Sequence, residues 1–129
     1  MKLEHFGLHS RDPEALATWY CEKLGFRVVR TLEKDGRPPI FFLSTDEGAQ
    51  VEILPSQAGH ASRTLEQGGF SHIGLVVGDF DALERDLASK SVSLIGVRDT
   101  SNDWRIGYCK DPELNVIEFV ARPGSTPSA

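Results

Sequence analysis

Glu4-His5-Phe6-Gly7-Leu8 returns as Ser71-His72-Ile73-Gly74-Leu75, 67 positions further along the chain. Asp12 and Leu16 match Asp79 and Leu83 at the same offset. Further out, Asp46 to Leu54 (DEGAQVEIL) is similar to Asp111 to Val120 (DPELNVIEFV). His5 and Glu52 lie 47 positions apart, His72 and Glu118 46 apart. Self-similarity at a long, fixed offset marks one supersecondary unit used more than once. The chain therefore reads as a first module over 1–54, a linker over 55–69, a second module over 70–121 and a frayed tail over 122–129.

Each module reads as strand, helix, then three strands. His5 to Ser10 alternates as a strand, and Asp12-Pro13 offers an N-cap with proline at the first helical position. Leu16, Trp19, Tyr20 and Leu24 recur at helical spacing, and Gly25 stands where a glycine ends a helix. Phe26 to Leu32 is a strand, Asp35-Gly36 a turn, and Ile40 to Ser44 and Gln50 to Leu54 complete the half. The second half repeats this with Phe70 to Val77 as strand and Asp79 to Lys90 as helix. Val92 to Val97, Trp104 to Lys110 and Asn115 to Ala121 follow as strands. The residues Trp19, Tyr20 and Phe26 are expected in the helix–sheet core.

A chain of 129 residues has room for one such paired arrangement around a shared core. With 40% apolar and 26% charged residues it has the composition of an ordinary folded protein. No apolar run approaches the roughly 20 residues of a membrane helix, and patterning begins at once, so neither a membrane partner nor a signal peptide is expected. The net charge of −5, without a lysine or arginine cluster, argues against nucleic acid. Cys21 and Cys109 read as buried thiols of a reducing compartment, which places the protein in the cytoplasm.

The chemistry lies in what the repeat places twice. Each half has a histidine early in its first strand and a glutamate in the middle of its last. Glu52 interrupts Val51-Glu52-Ile53-Leu54, and Glu118 interrupts Val116-Ile117-Glu118-Phe119-Val120. A carboxylate in an apolar strand needs pairing, hydrogen bonds or a metal, since an isolated buried charge costs several kcal/mol. If the halves pack about a pseudo-twofold axis, His5, Glu52, His72 and Glu118 converge. Two imidazoles and two carboxylates suit one divalent ion such as zinc, nickel, cobalt, iron or manganese. A single histidine or glutamate in a strand is usually structural; four at equivalent positions are harder to explain so.

His5-Phe6-Gly7-Leu8, Trp19-Tyr20-Cys21-Glu22-Lys23-Leu24-Gly25-Phe26, Ser71-His72-Ile73-Gly74-Leu75 and Asp111-Pro112 followed by Val116-Ile117-Glu118 resemble the vicinal oxygen chelate superfamily. The resemblance covers residues 2–121 and implies an α+β fold. In that fold, paired βαβββ modules form an open, curved eight-stranded sheet around a metal site. The ligand order His, Glu, His, Glu is similar to that of bacterial glyoxalase I, a lactoylglutathione lyase. Carried over, His5, Glu52, His72 and Glu118 are the metal ligands, and Glu52 or Glu118 also moves the proton. The metal would hold two adjacent substrate oxygens and stabilise an enediolate, while the carboxylate shuttles a proton between neighbouring carbons. Glu118, in the more apolar strand and less hydrated there, is the preferred base. The implied partners are a small-molecule substrate, as a glutathione or other thiol adduct, and a second copy in a homodimer.

The pattern departs from the family in two places. Glyoxalase I sequences often carry an arginine four positions after the first histidine; here that residue is His9, an anion contact or a structural residue. The usual Asp-Pro-Asp-Gly-Asn turn appears as Asp111-Pro112-Glu113-Leu114-Asn115, which strains Leu114 if that position needs positive φ. Arg105, at the start of a strand, is a candidate for an anionic substrate, or a surface residue; His60 and Arg63 in the linker are either substrate contacts or solvated. Other activities on this scaffold are an epimerase, a ring-cleaving dioxygenase, an epoxide-opening resistance transferase, and a resistance protein that sequesters a small molecule. Epimerases often have glutamine at the position of Glu52, dioxygenases usually use three protein ligands, and sequestering proteins generally lack the set.

Overall fold

Asp12 and Asp79 start the two helices in the same way. The Asp12 carboxylate accepts from the Ala15 amide at 3.1 Å and that of Asp79 from the Ala82 amide at 2.9 Å. Each satisfies one of the amides that a helix start leaves without an intrahelical partner. Around them, in a computed structural model describing residues 1–46, 48–56, 66 and 68–122, the elements follow the repeat. The first unit runs β1 (His5–Ser10), α1 (Pro13–Leu24), β2 (Arg27–Lys34), β3 (Arg37–Ser44) and β4 (Gln50–Pro55). The second runs β5 (His72–Val76), α2 (Phe80–Ser89), β6 (Ile95–Asp99), β7 (Arg105–Lys110) and β8 (Val116–Ala121). The chain divides into Met1–Arg63 and Thr64–Ala129.

The strand orders are β1-β4-β3-β2 and β5-β8-β7-β6. In each sheet the first and last strands of the module pair in parallel, and the other neighbours are antiparallel. The fold is α+β with paired βαβββ modules, and the backbone ladders form two mixed sheets of four strands. Parallel neighbours need a long crossover, and the helix of each module is part of it. No helix among the described residues is long and apolar enough to cross a membrane.

Strand parity separates two faces. Val51, Ile53 and Leu43 are fully or almost fully buried on the side of the first sheet covered by α1, which contributes Leu16, Ala17 and Tyr20. Phe26 is buried too and meets the Tyr20 ring edge-on, whereas Trp19 is only half-buried. In the second sheet a methyl group added at Gly107 would come within 3.0 Å of the Phe80 ring, so α2 lies against that face of β7. Ile117 and Phe119, opposite Cys109 and Gly107, share it and are buried.

Several boundaries differ from expectation for local reasons. The strand expected from Val92 begins only at Ile95, because Val92 is committed to closing α2. Its amide donates to Leu87 O at 2.8 Å while the Ser91 amide donates to Ala88 O at 3.1 Å, with Ser91 at φ +62°. That is the paired bonding that ends a helix around one left-handed residue, here without glycine. β3 starts earlier than expected and carries Pro38-Pro39; the ladder to β2 is irregular beside them, as expected where two residues lack an amide donor.

Cys21 and Cys109 are both free; Cys21 is half-buried, Cys109 fully. Burial, with Asp111 nearby, pushes the Cys109 thiol up to about 11. It stays protonated at neutral pH, so it offers no thiolate to a metal or a substrate.

The β7–β8 turn is organised by buried Asp111. Its carboxylate accepts from the Glu113 amide at 2.8 Å, the Asn115 amide at 3.0 Å and the Asn115 side chain at 2.8 Å. Leu114 stands there at φ +68°, exposed, where glycine would be unstrained. A left-handed residue other than glycine costs roughly 1–2 kcal/mol. Leu114→Gly is therefore expected to stabilise the protein by about 1 kcal/mol, glycine's greater unfolded-state freedom taking back part of the gain. Urea unfolding measures this; a lower midpoint would show that the turn carries no such strain.

Candidate metal centre

The parallel register decides which side chains meet. Gly7 of β1 lies opposite Glu52 of β4, and Gly74 of β5 lies opposite Glu118 of β8. The histidine two residues before each glycine therefore shares the glutamate's face, the one turned away from the helix. His5 Nε2 is 3.8 Å from Glu52 Oε1, and His72 Nε2 is 2.7 Å from Glu118 Oε2.

Each imidazole is held from behind by the preceding residue. His5 Nδ1 lies 2.8 Å from the Glu4 carboxylate, and His72 Nδ1 lies 2.8 Å from Ser71 Oγ. Each ring is thereby fixed with Nε2 on the glutamate's side, the orientation that outer partners impose on ligating histidines. His72 Nε2 donates to the Glu118 carboxylate when it carries the proton, and either Nε2 is open to a metal when Nδ1 carries it. The ring edges are set by a third strand: Phe42 of β3 pairs with Glu52, Tyr108 of β7 with Glu118. His5 meets Phe42 edge-on at 5.9 Å, and His72 meets Tyr108 edge-on at 6.1 Å. The glycine opposite each glutamate keeps the face open: a methyl group at Gly7 would lie 3.1 Å from Leu54 Cδ1, while Gly74 has empty space beside it.

The donor chemistry in each unit suits a divalent metal: one imidazole nitrogen and one carboxylate oxygen, both oriented, with the carboxylates only 19% and 20% exposed. Among the described residues of either unit, no group of three or more His, Cys, Asp or Glu side chains is placed to hold a metal ion. The equal exposure of Glu52 and Glu118 also removes the expected difference in hydration between them. What distinguishes them is the neighbour, an apolar ring at Phe42 and a phenol at Tyr108.

His9 lies on the same face as His5 and Gly7, exposed, with Nδ1 3.3 Å from Pro55 O. Arg105 is not brought to this site. It differs in parity from Tyr108 and so lies on the helix side of β7, where its guanidinium is 3.1 Å from Asp99 and 5.5 Å from the Phe80 ring centroid. His60 and Arg63 lie outside the described residues. Sequence reasoning missed Phe42, Tyr108 and Glu4. The first two carried a readable signal, for they are separated by the same 66 positions as Glu52 and Glu118.

Comparison with known proteins bears on this arrangement as a whole. The model of the glyoxalase/bleomycin resistance protein/dioxygenase superfamily matches residues 2–119. An uncharacterized protein of Bacillus subtilis (strain 168), YwbC, is 29% identical over 124 residues, 94% of this chain and 98% of its own length. Biphenyl-2,3-diol 1,2-dioxygenase 3 of Rhodococcus globerulus is 29% identical over 137 residues. That match takes in 98% of this chain, which spans 66% of the dioxygenase. The structure of the trypanothione-dependent glyoxalase I of Leishmania major matches with a TM-score of 0.73 at 17% identity, over 95% of this chain and 88% of that one. Its likeness is one of fold. Because the family's pattern extends over nearly the whole chain, both modules included, the chain belongs to the glyoxalase/bleomycin resistance/dioxygenase superfamily.

Proposed function

We propose that this protein is a metal-dependent isomerase of the glyoxalase type, acting on the hemithioacetal of a 2-oxoaldehyde and a thiol such as glutathione. The observation that carries the reading is the duplicated pair. Each module presents a histidine anchored at Nδ1 beside a glutamate on one open face. His5, Glu52, His72 and Glu118 would together hold one ion of zinc, nickel, cobalt, iron or manganese. When bound, such an ion supplies Lewis-acid polarisation of two adjacent substrate oxygens.

The chain's own residues account for the remaining requirements. Glu118 takes the proton from the carbon that carries sulfur and returns it to the neighbouring carbon, so the hemithioacetal becomes a 2-hydroxy thioester with no oxidant or reductant consumed. Phe42 gives an apolar wall beside His5, and Tyr108 a ring with a hydroxyl beside His72, which together limit and order water around the reacting carbons. His9, on the same face, is the proposed contact for an anionic end of the thiol. We place the enzyme in the cytoplasm, where its two free cysteines stay reduced, and as a homodimer whose pairing covers exposed apolar residues such as Val28, Val29 and Ile95.

A second reading, a ring-cleaving dioxygenase, is favoured by the 29% identity to the Rhodococcus enzyme. Four potential donors, where such enzymes usually use three, weigh against it. The deciding experiment loads the protein with each metal and follows thioester formation from methylglyoxal with glutathione and other small thiols, with a catechol panel in parallel. Thioester formation supports the isomerase; ring cleavage without it supports the dioxygenase. Absence of both, with no metal bound, leaves only the sequestering role. Light scattering of the same preparation reads the dimer, and a monomer at micromolar concentration would end that part.

A further inference from the structure

We propose that Arg30 anchors an anionic group, a carboxylate or phosphate, on the far end of the ligand. This deepens the reading above and rests on it for the position of the chelating end.

The observation is a bulge that turns this side chain. β2 pairs with β3 through Val28 opposite Leu43 and Arg30 opposite Phe42, leaving Val29 unmatched. In an uninterrupted ladder Val29 would face Phe42, and Arg30 would stand opposite Phe41 on the helix side. One extra residue moves it to the other face, since a one-residue slip exchanges the faces of a strand. Arg30 is thereby on the face that carries Phe42 and Glu52. Its guanidinium carbon lies 5.6 Å from the Phe42 ring centroid, while His5 meets the same ring at 5.9 Å. One aromatic ring therefore bridges the candidate metal ligand and the arginine.

Among the described residues no acidic side chain pairs with Arg30, in contrast to Arg105, which is paired with Asp99. A cation held over a ring face makes no conventional hydrogen bond there, so the guanidinium N–H groups are available for a planar anion. The second module also has an irregular edge strand, but among the described residues no arginine lies over the Tyr108 ring. There Tyr108 is opposed by Ile95, and the arginine on that face, Arg98, stands one rung further along, opposite Ile106. The histidine and glutamate are duplicated and the far end of the row is not. A ligand read by both ends has its adjacent oxygens at the His5–Glu52 pair and its anion toward β2. Two strand spacings separate Glu52 from Arg30, about 10 Å, and the arginine side chain covers much of that gap. A few carbon atoms suffice between the two ends of the ligand.

The test compares 2-oxoglutarate with 2-oxopentanoate, which share the chelating end and chain length but differ in the distal carboxylate. Binding to the cobalt(II)-loaded protein is measured by calorimetry for the native protein, Arg30→Gln and Arg30→Lys. The native protein should prefer 2-oxoglutarate by roughly tenfold, the low end for a charge-assisted contact at an exposed site. Arg30→Gln should abolish the preference and Arg30→Lys retain part of it, with the cobalt spectrum unchanged in both. No preference in the native protein, or an equal preference in Arg30→Gln, would overturn the assignment. If cobalt fails to bind, the metal-dependent reading has failed instead. Arg30 is then followed in metal-free protein through its Nε–Hε resonance during a glutarate titration. A saturable shift upholds the anion site, and its absence sinks it.

Discussion

Replacing His72 with alanine is expected to remove most of the affinity for a divalent metal. His72 Nε2 lies 2.7 Å from Glu118, and its Nδ1 is held by Ser71, so the ring is already oriented for ligation. Loss of a partner outside the coordination shell typically weakens metal binding by 10–100-fold. Loss of an oriented ligand should exceed that range. Ser71→Ala, which removes only the partner behind the ring, should fall within it. Calorimetric titration with nickel and cobalt, together with metal analysis after mild dialysis, reads both effects. A native protein that neither retains nor rebinds a first-row ion would refute the metal centre. Native-like binding by His72→Ala would remove His72 from the ligand set.

The second large effect separates holding a metal from moving a proton. Glutamine keeps the size of glutamate and one donor oxygen, so Glu52→Gln and Glu118→Gln should both retain some metal. It accepts no proton at neutral pH, so the variant that has lost the base should fall by about 10²–10⁴-fold in turnover. We expect that variant to be Glu118→Gln. The hydration argument for this choice has gone, since both carboxylates are equally exposed. The remaining reason is the row in which each stands. Glu118 is flanked by Tyr108, whose hydroxyl gives a polar group on the same face; Glu52 is flanked by Phe42. Turnover and metal content are measured together on the thiol adduct that proves to be the substrate. Equal activity in both variants, with metal retained, would mean that neither glutamate is the base.

The sequence by itself determined the plan of this protein. The repeat of Glu4 to Leu8 at Ser71 to Leu75, the aspartates ahead of two helices and the glutamates inside apolar strands are local, periodic features. Local features are legible because helix caps, strand alternation and turn residues act over a few positions. They sufficed for the βαβββ modules and for His5, Glu52, His72 and Glu118 as the residues to watch. The strand beginning at Val92 was misplaced because a left-handed Ser91 takes the place of glycine, hiding the helix end.

Register was the tertiary structure's to decide. Only the pairing of β1 with β4 shows that Gly7 faces Glu52, and hence that His5 shares its face. Only the pairing of β7 with β8 turns Arg105 to the helix side and Tyr108 to the side of Glu118. Only the unmatched Val29 brings Arg30 round to Phe42. Sequence alternation states that neighbouring side chains point opposite ways, but not which of the two ways. A single inserted residue reverses the answer, and the choice rests on hydrogen bonds between strands far apart in the chain.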